Sequence, residues 1–322
     1  MRIAGYARTG PAHEVLELRD APLPEPGPGE IRLKVEASGI NPHDTKGRAG
    51  WTGPKPEGFY IPHSDAAGVI DACGPGVTRS LGERVWTFGL LHGRGSAAEY
   101  ICVPAAKAIT LPGNISAAEG ASLGVPALTA WLNILSDGPV TGEVVVVQGG
   151  GGAVGELTVE LARLSGAQVL ATSRSEAARA RALSRGAAAV FAPDDPKLRE
   201  AVFDLSNGRG AARVVEVDFN ANQAMDVSLL ADHGVLAAYS STSDKFPVLD
   251  YYAFARKAAR IRFVQGMKLT EAQVQAGAAL LTEALTAGKL RPTISGAFPI
   301  AQIADSHVAV ERGAAGNVVV TF

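Results

Sequence analysis

Cysteine is almost absent: two residues in 322, Cys73 and Cys102, stand alone. That excludes a disulfide framework and a four-cysteine zinc knot, and it fits a reducing compartment. The six histidines are scattered along the chain and suggest no structural metal site. An excess of one charge is also missing, since 30 basic residues face 32 acidic ones for a net charge of −2. This balance gives no electrostatic reason to expect nucleic acid or an anionic membrane as a partner. No apolar run reaches membrane-spanning length, and the opening MRIAGYARTGPAHEVLEL carries Arg2 and Arg8 but no apolar core of signal-peptide type. The chain therefore reads as cytoplasmic. Internal repeats and low-complexity tracts are lacking too.

What is present is a globular composition, 47% hydrophobic and 19% charged, long enough for one large domain or two ordinary ones. Up to about residue 118, short apolar runs are cut by Pro and Gly, as in EIRLKVEASGINP, AAGVIDACGPGV and ERVWTFG. Alternation of Ile31, Leu33 and Val35 with polar residues predicts half-buried antiparallel strands in a compact β-barrel-like domain. From about 119 to 260 strands alternate with helices. EVVVVQ, AQVLATS, AAAVFAP, RVVEVDF and VLAAYSS read as strands; AVGELTVELARLSG, SEAARARALSRG and a stretch through NQAMDVSLLADHG read as helices. This alternation predicts an α/β doubly wound parallel sheet. Beyond 261 the texture is mixed, ending on the strand GNVVVTF.

The segment VVVVQGGGGAVGEL joins a buried strand directly to a helix, which rejects a flexible linker. Gly150, Gly152 and Gly155 fit G-x-G-x-x-G. In that pattern the first glycine permits the tight turn, the second admits a pyrophosphate to the backbone, and the third lets helix and strand pack closely. The first helical amides, at Ala153 and Val154, then face the phosphates. The end of the next strand reads VLATSRSEAARARA, with Ser173, Arg174 and Ser175 where NAD-specific sites place a carboxylate. A guanidinium binds a 2′-phosphate that a carboxylate would repel, so NADP(H) is the expected cofactor, with Arg174 as discriminator. The alternative for Arg174 is a solvated loop position.

With these pieces placed, the chain resembles the zinc-free NADPH:quinone oxidoreductase (zeta-crystallin-like) branch of the medium-chain dehydrogenase/reductase superfamily. The resemblance is carried by SGINPHDTKGRAG, IPHSDAAGVIDACGPGV, GSAAEYICVPAAKAITLP, ASLGVPALTAWLNI, the glycine segment and RGAAGNVVVTF. It implies a GroES-like β-barrel-type catalytic domain from residues 1–118 and 261–322, and a Rossmann NADP(H)-binding domain at 119–260. Nicotinamide and substrate would lie in a cleft between them.

Superfamily alcohol dehydrogenases hold a catalytic zinc, but here Asn41 stands where their first cysteine falls. His63 is one residue out of step with their histidine, and the structural-zinc cysteines are missing. No metal is expected. Without a Lewis acid, hydride transfer requires an acceptor that is already electrophilic. The expected activity is NADPH-dependent reduction of a small-molecule quinone or α,β-unsaturated carbonyl. The resemblance places Asn41 and Asp44 at the site. Lys46 replaces a tyrosine common in relatives, and would donate to the developing oxyanion, contact a cofactor phosphate, or point into solvent. Arg48, Trp51, Phe59 and Tyr60 are candidates for the pocket wall. The resemblance also assigns Thr129 to the nicotinamide side, Tyr239 and Ser240 to the crevice at the strand ends, and Asn317 to the cofactor. Thr129 could instead bond its own helix backbone. Two other readings stand beside this one: an enoyl-thioester reductase, and a non-enzymatic NADPH-binding structural or regulatory protein. A homodimer through the edge of the parallel sheet, near FPVLDYYAFARKAARIRFVQG, is expected by analogy.

Overall fold

In the strand Glu30–Ile40, Ile31, Leu33 and Val35 are buried while Lys34 and Glu36 face solvent, the period-two pattern the sequence predicts. From Ala37 onward every residue of this strand is buried, so its second half is covered on both faces. The computed structural model describes residues 1–53, 57–90 and 93–322. Met1–Pro126 and Met267–Phe322 form one unit, and Ala127–Gly266 a second.

The first unit is built on a seven-stranded sheet. Glu30–Ile40 lies at its centre, antiparallel to Asp65–Cys73, to Tyr100–Pro104 and to the late strand Asn317–Thr321. Ile294–Pro299 extends the sheet on one side, and Arg84–Thr87 with Ile109–Thr110 on the other. Its core includes Ile31, Leu33, Val35, Ile70, Val85 and Val103.

The second unit has six parallel strands in the order Ala189–Phe191, Gln168–Thr172, Val144–Val147, Ala211–Glu216, Leu230–Ala238, Arg260–Phe263. Sequence order reverses beside Val144–Val147, which marks the switch point of a doubly wound sheet. The four valines are buried on both faces: Val144 and Val146 join one core with Leu170, Val214 and Leu236, whereas Val145 and Val147 join another with Val159, Val169 and Val215. No helix among the described residues is long and apolar enough to cross a membrane.

Two sequence expectations shift. The helical stretch drawn through NQAMDVSLLADHG stops early: the helix is Phe219–Leu229, and Leu230 turns to extended backbone to begin the strand Leu230–Ala238. Burial of Leu230 against the sheet overrides the helical spacing. The chain passes between units at Pro126/Ala127 and Gly266/Met267 rather than near 118 and 260. The helix Ala117–Gly120 packs on the first unit's strands, and Arg260–Phe263 completes the parallel sheet.

A side chain at Gly39 would collide with the carbonyl oxygen of Ala121, whereas one at Gly113 would meet nothing. Gly39→Ala is expected to lower stability by about 1–3 kcal/mol, the usual cost of overpacking, with Gly113→Ala near neutral. Chemical-denaturation midpoints compare the two; equal midpoints would contradict the packing described.

Candidate active site

The second unit carries the glycine turn at the carboxyl ends of its strands. Gly149, immediately after Gln148, has φ of +71° and so takes the left-handed conformation. The residue that makes the turn tight is therefore Gly149, not Gly150 as the sequence pattern suggests. Gly150 is required for packing, since a Cβ there would sit 2.7 Å from the Cβ of Ala171. At Gly151 a Cβ would strike the Ala178 carbonyl, and at Gly155 the Gly149 carbonyl. Gly152 differs. Its nearest neighbour would be the Gly149 oxygen at 3.4 Å, an ordinary contact, and its φ of −88° suits any residue. The chain itself gives no reason for glycine there, whereas a group lying against the backbone does. Gly152 also precedes the helix Ala153–Leu164 without any side-chain cap. The amides of Ala153, Val154 and Gly155 thus have no intrahelical acceptor and suit an anion.

Beside the turn, Ser173 is buried and its hydroxyl oxygen accepts from the Gly151 amide at 2.9 Å. Ser175 caps the helix Glu176–Ser184 by accepting from Ala178 N at 3.2 Å. Arg174 is exposed. Two further guanidinium groups, missed by the sequence reading, converge here. Arg179 donates to the carbonyls of Ser173 and Arg174 at 3.1 and 3.0 Å, and Arg181 to that of Gly151 at 3.1 Å. Their signal was the ARAR run on the following helix, read only as helical spacing. Tyr239 and Ser240 follow the strand Leu230–Ala238: the Tyr239 amide donates to Glu216 O at 3.0 Å, and the Ser240 hydroxyl lies 3.1 Å from that of Thr242. Thr129 is buried on the helix Gly124–Leu135, and its hydroxyl makes no hydrogen bond among the described residues. The alternative of a backbone-bonded helix threonine is thereby removed.

The first unit gathers a separate polar cluster. Asn41 precedes the helix Pro42–Arg48 in a capping box: its amide donates to Asp44 Oδ2 at 2.8 Å. The Asn41 side chain donates in turn to Asp65 Oδ2 at 2.7 Å, and the Val125 amide donates to both Asp65 oxygens at 3.0 Å. His43 Nε2 lies 3.1 Å from Asp44 Oδ1 and 2.7 Å from Ser64 Oγ. Burial opposes ionisation of Asp44, but His43, through charge and hydrogen bond, with His63 and the Asn41 amide, holds its carboxyl at about 2. Asp65 goes the other way. Burial pushes it up to about 7 despite the bonds from Asn41 and Val125. His63, in the left-handed region with φ of 75°, places Nδ1 2.8 Å from Ser38 Oγ and Nε2 2.9 Å from Nε2 of His307. Burial pushes His63 down to about 4 and His307 well below its ordinary value. The His63–His307 contact, spanning most of the chain, had no local signal in the sequence.

The remaining candidates separate. Lys46 Nζ sits over the Trp51 ring, 5.0 Å from its centroid, rather than among the Asn41 and Asp44 bonds. Asn317 is buried, donates to Thr293 O at 3.2 Å, and borders the same narrow crevice as Asn41 and Asp65. Arg48 is no pocket wall: it is buried and bonded to Gly10 O and Glu311. Phe59 lies under the Arg19 guanidinium, and Tyr60 packs against Tyr6 at 5.2 Å.

Residues 27–113 match the alcohol dehydrogenase GroES-like domain, and residues 153–283 the zinc-binding dehydrogenase family. A quinone oxidoreductase of Sus scrofa is 30% identical over 312 residues, covering 95% of this chain and 93% of its own. Among solved structures, a mycobacterial protein complexed with NADPH superposes with a TM-score of 0.88 at 27% identity, covering all of both chains. An NAD-dependent alcohol dehydrogenase superposes with a TM-score of 0.91, also at 27% identity and full coverage of both. The chain belongs to the medium-chain dehydrogenase/reductase superfamily and, within it, to the quinone oxidoreductase branch. It is accordingly a nicotinamide-nucleotide-dependent oxidoreductase.

The polar cluster has a testable titration. A histidine whose folded value lies below its ordinary 6.5 contributes stability above that value, and loses it as pH falls through about 4. The His63 ring is therefore expected to stay neutral at pH values where an ordinary histidine is protonated, by nitrogen NMR shifts. Protonation near 6.5 would contradict the buried Ser38–His63–His307 arrangement.

Proposed function

We propose that this oxidoreductase uses NADPH to reduce a quinone or an α,β-unsaturated carbonyl without zinc. The observation that carries the reading is the glycine turn with its uncapped helix, set beside a strand tip that has cations and hydroxyls but no carboxylate. Gly152, Ala153, Val154 and Gly155 would receive the pyrophosphate, with Gly150 fixing the turn against Ala171. Ser173, Arg174 and Ser175, joined by Arg179, would meet the 2′-phosphate, where guanidinium forks match a dianion. Thr129, Tyr239, Ser240 and Asn317 are proposed as further cofactor contacts.

Zinc does not fit the first unit's cluster. His63 has both ring nitrogens engaged by Ser38 and His307, and Asp65 is held by Asn41 and the Val125 amide. Among the described residues, no three of His, Cys, Asp and Glu are gathered as ligands. Bound NADPH would supply a hydride from C4 of its nicotinamide. The acceptor must then be electrophilic on its own, and a proton from solvent would complete the product, at the quinol oxygen or at the α-carbon of the enolate. The protein's part is to orient, exclude water and donate hydrogen bonds to the oxyanion. Asn41 and Asp44 would act by fixing the helix Pro42–Arg48, on which Lys46 is the proposed donor.

Arg174→Ala is expected to raise the KM for NADPH by about tenfold or more, the scale of one lost charge-assisted bond, with little change for NADH. NADPH oxidation followed with a benzoquinone, an alkenal and crotonyl-CoA identifies the acceptor class. Equal effects on both cofactors would overturn the NADPH assignment. Turnover of the thioester alone would favour an enoyl-thioester reductase, and binding without turnover a non-catalytic role.

We also propose a homodimer, formed by a second copy pairing along the edge strand Arg260–Phe263. Phe263 is 76% exposed, and Phe246, Val248, Tyr251 and Tyr252 expose further apolar surface in the same unit. Such a surface on a soluble monomer is unusual. Sedimentation is expected to show a dimer that Phe263→Asp converts to monomer. A monomeric parent protein would refute the pairing.

A further inference from the structure

Beneath the glycine turn lie two carboxyl groups that the proposed chemistry does not use. Glu216, at the end of the strand Ala211–Glu216, and Asp226, on the helix Phe219–Leu229, are both fully buried. One oxygen of each is satisfied. Glu216 Oε1 accepts from the Asp218 amide and from Asn222 Nδ2, and Asp226 Oδ1 accepts from Gln148 Nε2 at 2.8 Å. The other two oxygens, Glu216 Oε2 and Asp226 Oδ2, are buried without a donor from any other group among the described residues. Two ionised carboxylates so placed would repel each other in a medium that solvates neither. A single proton between them satisfies both oxygens.

The surroundings favour that proton. Burial raises both groups, so one proton stays between them at pH values where ordinary carboxyls have lost theirs. The groups that face the pair are the Asp218 carboxylate, the Tyr239 phenol, and the amides of Asn222 and Gln148. None brings positive charge. From Asp226 a chain of bonds leads to the turn: Thr172 Oγ1 donates to Gln148 Oε1 at 2.6 Å and accepts from the Gly149 amide at 3.3 Å. Gly149 is the left-handed residue on which the turn depends. The chain thus ties the ends of three adjacent strands to the loop proposed to hold the pyrophosphate.

We propose that Glu216 and Asp226 share a proton and act as positioning residues that latch the glycine turn in its cofactor-binding form. The proposal rests on the dinucleotide reading of that turn. Loss of the proton leaves two buried anions facing each other, and their separation would pull Gln148 and Thr172 away from Gly149. A group whose folded value is raised contributes its stabilisation fully below the ordinary carboxylate range and loses it as pH rises through the raised value. The turn therefore loosens on the alkaline side.

NADPH dissociation constants by cofactor fluorescence, from mildly acid to alkaline pH, test the latch in the parent protein and its variants. The parent is expected to bind more weakly as pH rises. Asp226→Asn, whose amide donates to Glu216 at every pH, is expected to remove that dependence. Asp226→Ala, which strands Gln148 and Glu216, is expected to weaken binding by about tenfold throughout. Infrared spectra of the ligand-free protein supply an independent readout: beside the band of Asp65, a second protonated-carboxyl band at neutral pH that Asp226→Asn removes in the difference spectrum. Identical pH profiles in the parent and Asp226→Asn, or absence of the second band, would overturn the proposal. The second band without NADPH binding at any pH would support the shared proton and sink the cofactor reading instead.

Discussion

The structure of the second unit depends on one close approach, that of the helix Ala153–Leu164 to the backbone of the turn before it. At Gly155 the helix lies so near the Gly149 carbonyl that no side chain fits between them. Everything at the carboxyl end of the sheet follows from this contact. It brings the uncapped amides of Ala153 and Val154 over the turn, and it holds Gly149 in the conformation from which its own amide reaches Thr172. The four-valine strand supplies the rigid base, because side chains buried on both faces leave it nowhere to move.

The first unit uses a different device. Its polar residues are buried and bonded to one another, so each fixes its neighbour: Asn41 serves Asp44 through its backbone and Asp65 through its side chain. Opposite shifts of two acids within one cluster come from their partners. Asp44 has a histidine beside it, and Asp65 has only neutral donors. Such a cluster acts as a scaffold for the helix Pro42–Arg48, with the His63 ring held between Ser38 and His307.

The architecture was legible in the sequence where periodicity reports burial directly, as in the alternation of Ile31, Leu33 and Val35 and the unbroken valines from 144 to 147. The glycine motif was legible as a motif, yet its division of labour was not. Left-handed backbone at Gly149 and room for a side chain at Gly152 are properties of three dimensions, and the four glycines look alike in one. Arg174 was visible because it occupies the position of a missing acid. Arg179 and Arg181 were not, since helical geometry alone returns them to the strand tip. Glu216 and Asp226 were hidden for a related reason: an acid at a strand end and one mid-helix gain meaning only when both prove buried and adjacent. The misread helix end at Leu230 shows tertiary burial overriding a local pattern.

The central strand of the first unit, Glu30–Ile40, takes one of its partners from Asn317–Thr321, at the far end of the sequence. During synthesis that edge must wait until residues 317–321 have emerged, whereas the second unit is continuous from Ala127 to Gly266 and can complete its sheet beforehand. The nascent protein therefore carries a folded second unit attached to a half-paired β sheet whose open edge is rich in backbone donors and acceptors. That interval, set by topology and not by stability, is when the chain is most exposed to pairing with the wrong strand.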